Sequence, residues 1–463
     1  MTLKIECALH GSSKAALEAL KRSVAKKKYK GAQCEADEPQ IPVAAIFEPL
    51  FSALSNGGDR ETPVLPSIAE CAVHLELLEC FFVLRQRVLK SDELDKVFGI
   101  VPHHRVVKRK GKDVKLKDPG MWQRRQVKWP MFVEWSVVRF LCWRRAVTAK
   151  FSQAQAPGWQ LGEDNLPPLD VLMVLHSFLL NPSLFLHNSV SGPLVCLIFP
   201  WPAIHKAINN RSWNFALMDH ASVGFQDLVD LNADLFKEIS SWKDLPEPKR
   251  AALLRFTFAG SRVYPWTPRC SFQETNQPAV FDPSEKSLGT QLSAAIIRQG
   301  NFIENMEKKL WIRSPALEGT LTRAISRYSQ FLTLIKLNDN LVLVPTLDID
   351  LVWHTHQCSP IPYLRATKQL AGKFLNHDDR MVKDALDEGF ERTRGLYLVK
   401  FGREYRVCGC WDCEALLSAL QTARTDGSAP AEKDIMHKVC SEVSYYSSVE
   451  IARRNKQPLP VRN

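Results

Sequence analysis

Long hydrophobic runs are missing from this 463-residue chain. A helix that crosses a bilayer needs about 20 consecutive apolar residues. The best stretches, 171–180 and 194–201, are interrupted by His176 and Pro200. A secretion signal is not expected either, because the Lys-rich stretch 21–30 has no apolar block after it. A transit peptide is disfavoured by Glu6 and Glu18 and by the scarcity of arginine near the start. No membrane span and a cytoplasmic or nuclear location are therefore expected. Paired cysteines are also scarce: Cys71, Cys80, Cys142 and Cys196 sit singly in apolar surroundings, where a thiol behaves as a small hydrophobe. A disulfide framework is not expected. Glycine is sparse, at 21 residues, and no phosphate-cradling loop, dinucleotide fingerprint or serine-nucleophile elbow occurs. Alternating strand patterns are few, with 341–344 and 396–401 as the candidates.

Helical patterns dominate what is present. Ser67 and Glu70 have the spacing of a capping box, and Val73, Leu77, Phe81, Leu84 and Val88 follow on one face. A second helix, rich in Trp and Phe, is read over 133–146. A third begins at Asp170, which can cap its first turn, and continues through Val171, Val174, Leu175, Phe178 and Leu179.

This last pattern recurs. Pro167-x-Leu169-Asp170-Val171-x-x-Val174-x-His176 aligns without a gap with Pro345-x-Leu347-Asp348-Ile349-x-x-Val352-x-His354, 178 residues on. Upstream, Arg139-Phe140-x-x-Trp143 echoes Arg327-Tyr328-x-x-Phe331. The expected fold is mainly α: two diverged copies of one helical unit, with short β or irregular segments. The expected organisation is a disordered Lys-rich tail over 1–45, a first unit over 46–245 and a connecting segment over 246–290. A second unit over 291–425 and a C-terminal helix and tail over 426–463 complete it. Asp170/Asp348 and His176/His354 occur in both copies, so they read as architectural, a cap and a bonded histidine. The second copy departs from the first in Asp350 for Leu172, Trp353 for Leu175 and His356 for Phe178. Polar groups replacing apolar ones on one helix point to a site, and Asp350, Trp353, His354 and His356 are the ligand-pocket candidates.

The formal charge is +11, and residues 103–117 carry seven Lys/Arg against Asp113 alone. Such a block reads as a solvated insertion; a sharper reading is contact with nucleic acid or another acidic partner through Lys108, Arg109 and Lys110. No RNA-recognition motif, helix-turn-helix signature or paired-cysteine finger accompanies it.

The segment from Leu343 to Gln357, with Gly372-Lys-Phe-Leu-Asn-His-Asp-Asp379, resembles the glycine-rich domain-containing protein-like family, a plant and fungal domain of unknown function. Leu166–Val174, Arg298-Gln-Gly-x-Phe302, Trp311-x-Arg-Ser-Pro315, Cys408-x-Cys-Trp-Asp-Cys413 and Val449–Arg454 extend the resemblance over about 65–460. It implies no settled activity. The glycine-rich tail of plant members is not among these 463 residues, so their RNA-related roles are not carried over. Fungal relatives carry a Cys-Pro-x-Cys pair where this chain has Thr267-Pro-Arg-Cys270, which implies that a metal bound there in relatives is lost here.

Two constellations could carry chemistry. On a helix, Asp350 and His354 share a face at i, i+4 while His356 points elsewhere. A site would then form where Asp350 and His354 meet His377, Asp378 and Asp379, with zinc or iron as the ion. Its alternatives are a helix-surface pair with a core histidine, and a pocket for a non-metal ligand. A narrower version is an iron oxygenase triad of His377, Asp379 and His437, which requires a β-jelly-roll. Separately, Cys408, Cys410 and Cys413 offer three thiolates to a zinc site whose fourth ligand could be Cys440, His437 or Cys270; redox chemistry and plain packing are the other readings. The leading functional expectation is a helical binding or scaffold module with a polar pocket on the second Asp-initiated helix. A metal-dependent enzyme and a nucleic-acid-associated protein are the alternatives.

Overall fold

The computed structural model describes residues 31–32, 42–52, 64–103, 105–109, 112–116, 118–152, 160–189, 192–260, 281–377, 380, 383–425 and 432–460. The tail read over 1–45 lies almost wholly outside the described residues, as do Thr267–Cys270, Asp378 and Asp379.

The fold is mainly α. The long or site-bearing helices are α1 (Ile68–Lys90), α2 (Lys128–Ser152), α3 (Leu169–Leu179), α4 (Pro182–Ser189), α5 (Pro283–Lys309), α6 (Leu317–Leu337), α7 (Leu347–Gln357), α8 (Pro360–Leu370), α9 (Lys383–Phe401), α10 (Trp411–Thr425) and α11 (Glu432–Arg454). Strands among the described residues form three two-stranded antiparallel ladders, Gly31–Ala32 with Leu459–Pro460, Arg105–Arg109 with Lys112–Leu116, and Ile208–Asn209 with Asn214–Phe215. The strand candidates 341–344 and 396–401 are not strands. The first is irregular and the second is the last turns of α9, whose buried Gly389, Thr393 and Tyr397 repeat every four residues. A short apolar run such as 396–401 carries too few residues for its period to be read locally. No single described helix is long and apolar enough to cross a membrane.

The chain divides into two compact units, one continuous (77–304) and one made of 1–76 with 305–463. The positions 245 and 290 both fall inside the continuous unit.

In the continuous unit α2 packs along α3. Trp135, Phe140 and Trp143 of α2 are buried, and Phe140 meets Phe178 of α3 edge-on at 5.9 Å. Between the helices lies a buried ion pair, Arg139 Nε to Asp170 Oδ2 at 2.6 Å, and Arg139 also donates to the Ala233 carbonyl at 3.1 Å. Asp170 is therefore not the cap read from the sequence. It is the second residue of α3, the N-cap is Pro168, and no side chain caps that end. An acid beside a helix start suits both roles, and only the arginine across the interface decides between them.

In the discontinuous unit α6, α7 and α8 pack on one another. Here Arg327 Nε meets Asp348 Oδ2 at 2.7 Å, and Asp348 is again a buried first-turn residue rather than a cap. α10 and α11 pack Ala415, Leu416, Val439 and Val443 around Ala316. The Ser67 box at the start of α1 is formed reciprocally: Ser67 N donates to Glu70 Oε2 (2.7 Å) and Glu70 N to Ser67 Oγ (3.2 Å).

Candidate metal centre

α7 turns by about 100° per residue, so residues four apart share a face and residues two apart diverge. Asp350 and His354 accordingly project together, and the segment after α8 brings His377 to meet them. His354 Nε2 lies 3.3 Å from His377 Nε2. Asp350 Oδ1 lies 3.4 Å from each of these nitrogens. Three ligating atoms thus form a nearly equilateral triangle. His354 is buried, while the His377 and Asp350 side chains keep 14% and 21% of their exposure, so solvent reaches one side of the group. Burial pushes the Asp350 carboxyl up, but the two imidazoles outweigh it and hold the carboxyl below its ordinary value.

A buried frame sets this triangle. Arg327, besides Asp348, donates through Nη2 to Thr346 Oγ1 (2.9 Å) and the Tyr405 carbonyl (2.8 Å), which ties down the start of α7. Trp353 Nε1 donates to Tyr363 Oη at 2.8 Å, and Tyr363 in turn donates to the Leu375 carbonyl at 2.8 Å. That relay anchors the backbone two residues before His377, whose ring stands edge-on to Trp353 at 5.1 Å. Sequence reasoning missed Tyr363. It lies on the next helix, and no local spacing marks a tyrosine that acts through a carbonyl elsewhere.

His356 takes no part in the triangle. Its Nδ1 is 3.0 Å from Tyr328 Oη, its ring is edge-on to Tyr363, and burial pushes its pKa down to about 3 against a backbone hydrogen bond at Val64. It is a neutral core histidine. Trp353 is likewise buried. Asp378 and Asp379 lie outside the described residues. His437 is exposed on α11 and joins no group of ligating side chains among the described residues. The jelly-roll that an oxygenase triad with His437 would require does not match the helical fold.

Cys408, Cys410 and Cys413 form a second group, their sulfurs all within 4.8 Å of one another. Hydrogen bonding from Cys413 pulls the Cys410 thiol down to about 5, and the same contact pushes Cys413 up. Neither Cys440 nor His437 joins that group among the described residues. In the basic segment, Lys108 is exposed and Arg109 ends a strand in register with Lys112, whereas Lys110 lies outside the described residues.

Comparison with known proteins places part of this region. Residues 261–365 match the family model described as glycine-rich domain-containing protein-like, a span that includes Asp350 and His354 and ends before His377. Glycine-rich domain-containing protein 2 of Arabidopsis thaliana is 35% identical over 158 residues, covering 32% of this chain and 20% of that protein. Glycine-rich domain-containing protein 1 of the same plant is 37% identical over 133 residues, covering 27% of this chain and 16% of that protein. The aligned part is thus a fifth or less of either relative's length. No solved structure matches.

Proposed function

We propose a function for this chain from the site alone, because the family it resembles over 261–365 has no chemistry assigned by its name: it is a metal-dependent protein that holds one divalent zinc-type ion on Asp350, His354 and His377. The observation that carries this reading is the size of the donor triangle. Ligands about 2.0–2.1 Å from a tetrahedral zinc ion are separated from each other by about 3.3–3.4 Å, and the three edges here are 3.3, 3.4 and 3.4 Å. An octahedral magnesium ion with ligands at about 2.1 Å would bring neighbouring ligands to about 3.0 Å. Two imidazoles with one carboxylate suit zinc or ferrous iron, and the edge length favours the tetrahedral ion. Three protein ligands leave the fourth position to water or a bound molecule, which is the pattern of catalytic rather than structural zinc. The relay from Trp353 through Tyr363 to the Leu375 carbonyl acts as support that orients a ligand from outside the first ring of donors.

A binding or scaffold module without a metal is the second reading, favoured by the burial of His354 at 1% exposure and of Trp353 at 7%. In it the triangle is an internal polar network. Metal analysis of reduced, zinc-dialysed full-length protein separates the two. We expect His354→Ala and His377→Ala each to retain one zinc fewer than wild type, and Tyr363→Phe to keep the ion with affinity lowered about 10–100-fold. The exposed His437→Ala is the control and should not change the count. Equal zinc content in wild type and His377→Ala would establish the metal-free module instead.

A further inference from the structure

The three thiols before and within the first turn of α10 have no role in the site above, and backbone and side-chain contacts from outside the group fix the turn that carries them. Gly409 between the first two has φ +63°, a left-handed turn that a side chain would strain, and a Cβ there would come within 3.0 Å of Trp311. This reversal folds Cys408 back towards Cys410 and Cys413. The segment around Lys309 clamps the turn from outside. Lys309 Nζ donates to the Cys408 carbonyl at 2.7 Å, Trp311 Nε1 to the Gly409 carbonyl at 2.7 Å, and Trp411 Nε1 returns to the Lys309 carbonyl at 2.9 Å. The Cys410 carbonyl accepts from Glu414 N at 3.0 Å, fixing the helix start through Cys410 itself.

We propose that Cys408, Cys410 and Cys413 form a second, thiolate-only site that binds one soft closed-shell metal ion, zinc in the first instance, with its fourth position open to an exogenous ligand. Zinc–thiolate bonds of about 2.3 Å separate sulfurs by about 3.8 Å in a tetrahedron. Sulfurs already within 4.8 Å of one another need only rotamer adjustments to reach that spacing. A disulfide would use two of the three and leave the third without a role, whereas a metal uses all three. The all-sulfur set selects soft ions over magnesium, calcium or manganese. A cavity of about 470 Å³ opens beside Cys410 and Trp411, lined by Lys309, Glu450 and Arg454 among others, and gives a ligand a path to the fourth position. Binding releases the thiol protons to solvent, so no oxidant or reductant is required.

The test is cobalt(II) titration of the reduced full-length protein, because sulfur-to-cobalt charge-transfer absorption in the near ultraviolet reports thiolate ligands and not imidazole or carboxylate. Wild type and His377→Ala should both develop this absorption, saturating by two equivalents in wild type and at one in His377→Ala, and added zinc should bleach it. Cys408→Ser should lose about a third of the intensity, and Cys410→Ser all tight binding. Zinc should also slow alkylation of these thiols at least about tenfold in wild type. Absent charge-transfer absorption in reduced, folded wild type would overturn the proposal. So would loss of the absorption in His377→Ala, or a Cys410–Cys413 disulfide that forms readily while no metal is taken up. The sulfur signal is independent of the imidazole site, so either site can fail without the other.

Discussion

His356 and Phe178 stand 178 residues apart at corresponding positions of α7 and α3, and their neighbours differ in step with them. Phe178 meets Phe140 edge-on, whereas His356 meets the hydroxyl of Tyr328. A buried polar pair contributes little net, but half of one is costly, because the remaining group keeps its desolvation penalty without a partner. His356→Phe alone should therefore destabilise the protein by about 1–3 kcal/mol through the stranded Tyr328 hydroxyl. Adding Tyr328→Phe, which copies the Phe140/Phe178 pair, should return the urea midpoint to within about 1 kcal/mol of wild type. Additive losses in the double variant would show that the two side chains do not act as a unit. The same logic explains why Asp350 could not be interpreted from its own turn. Its neighbour His354 was legible at i, i+4, but whether the pair faced water or a third ligand depended on His377, 23 residues from His354 and beyond a helix.

At the scale of elements, each Asp-initiated helix is tied to the preceding long helix by an arginine, across 31 residues for Arg139–Asp170 and 21 for Arg327–Asp348. Burial pushes the Asp170 carboxyl up while Arg139 draws it down, so removing the cation leaves an acid with nothing to offset its desolvation. Breaking a buried pair from one side costs about 3–5 kcal/mol. Arg139→Met and Arg327→Met should each lower stability by about that amount. Arg139→Met with Asp170→Leu should recover most of the loss, because a matched apolar pair strands no charge. Thermal unfolding followed by circular dichroism checks both statements; a milder effect of Arg139→Met than of the double variant would refute them. The Ser67 box was readable from sequence because both partners lie within one turn. The acid-to-arginine ties were not, because each joins two helices.

For the whole molecule, the +11 charge is partly concentrated in one hairpin, Arg105–Arg109 with Lys112–Leu116. Lys108 pairs across it with Asp113, and both are exposed. Basic side chains held on a two-stranded ribbon repel one another and add little to a core. Replacing 104–117 by a short Gly-Ser turn should leave the unfolding temperature within about 2–4 °C of wild type. It should also leave the zinc lost on His377→Ala unaffected, because the hairpin belongs to the continuous unit and His377 to the other. A fall in melting temperature well beyond that range would mean that the hairpin is part of a core. Metal content and calorimetry on the deletion variant supply both readings.

The helical class, the α7 spacing that pairs Asp350 with His354, and the capping box were written in the sequence alone, because each depends on periodicities no longer than one or two turns. Tertiary structure alone decided that Asp170 and Asp348 are ion-pair partners rather than caps and that His356 is a core histidine. The meeting of Asp350 and His354 with His377 was offered by the sequence as one alternative among several, and the packing that carries His377 back to α7 brings the three ligating atoms together. Those outcomes depend on which distant side chain arrives within hydrogen-bonding distance, and that is settled by how helices pack rather than by the order of residues within any one of them.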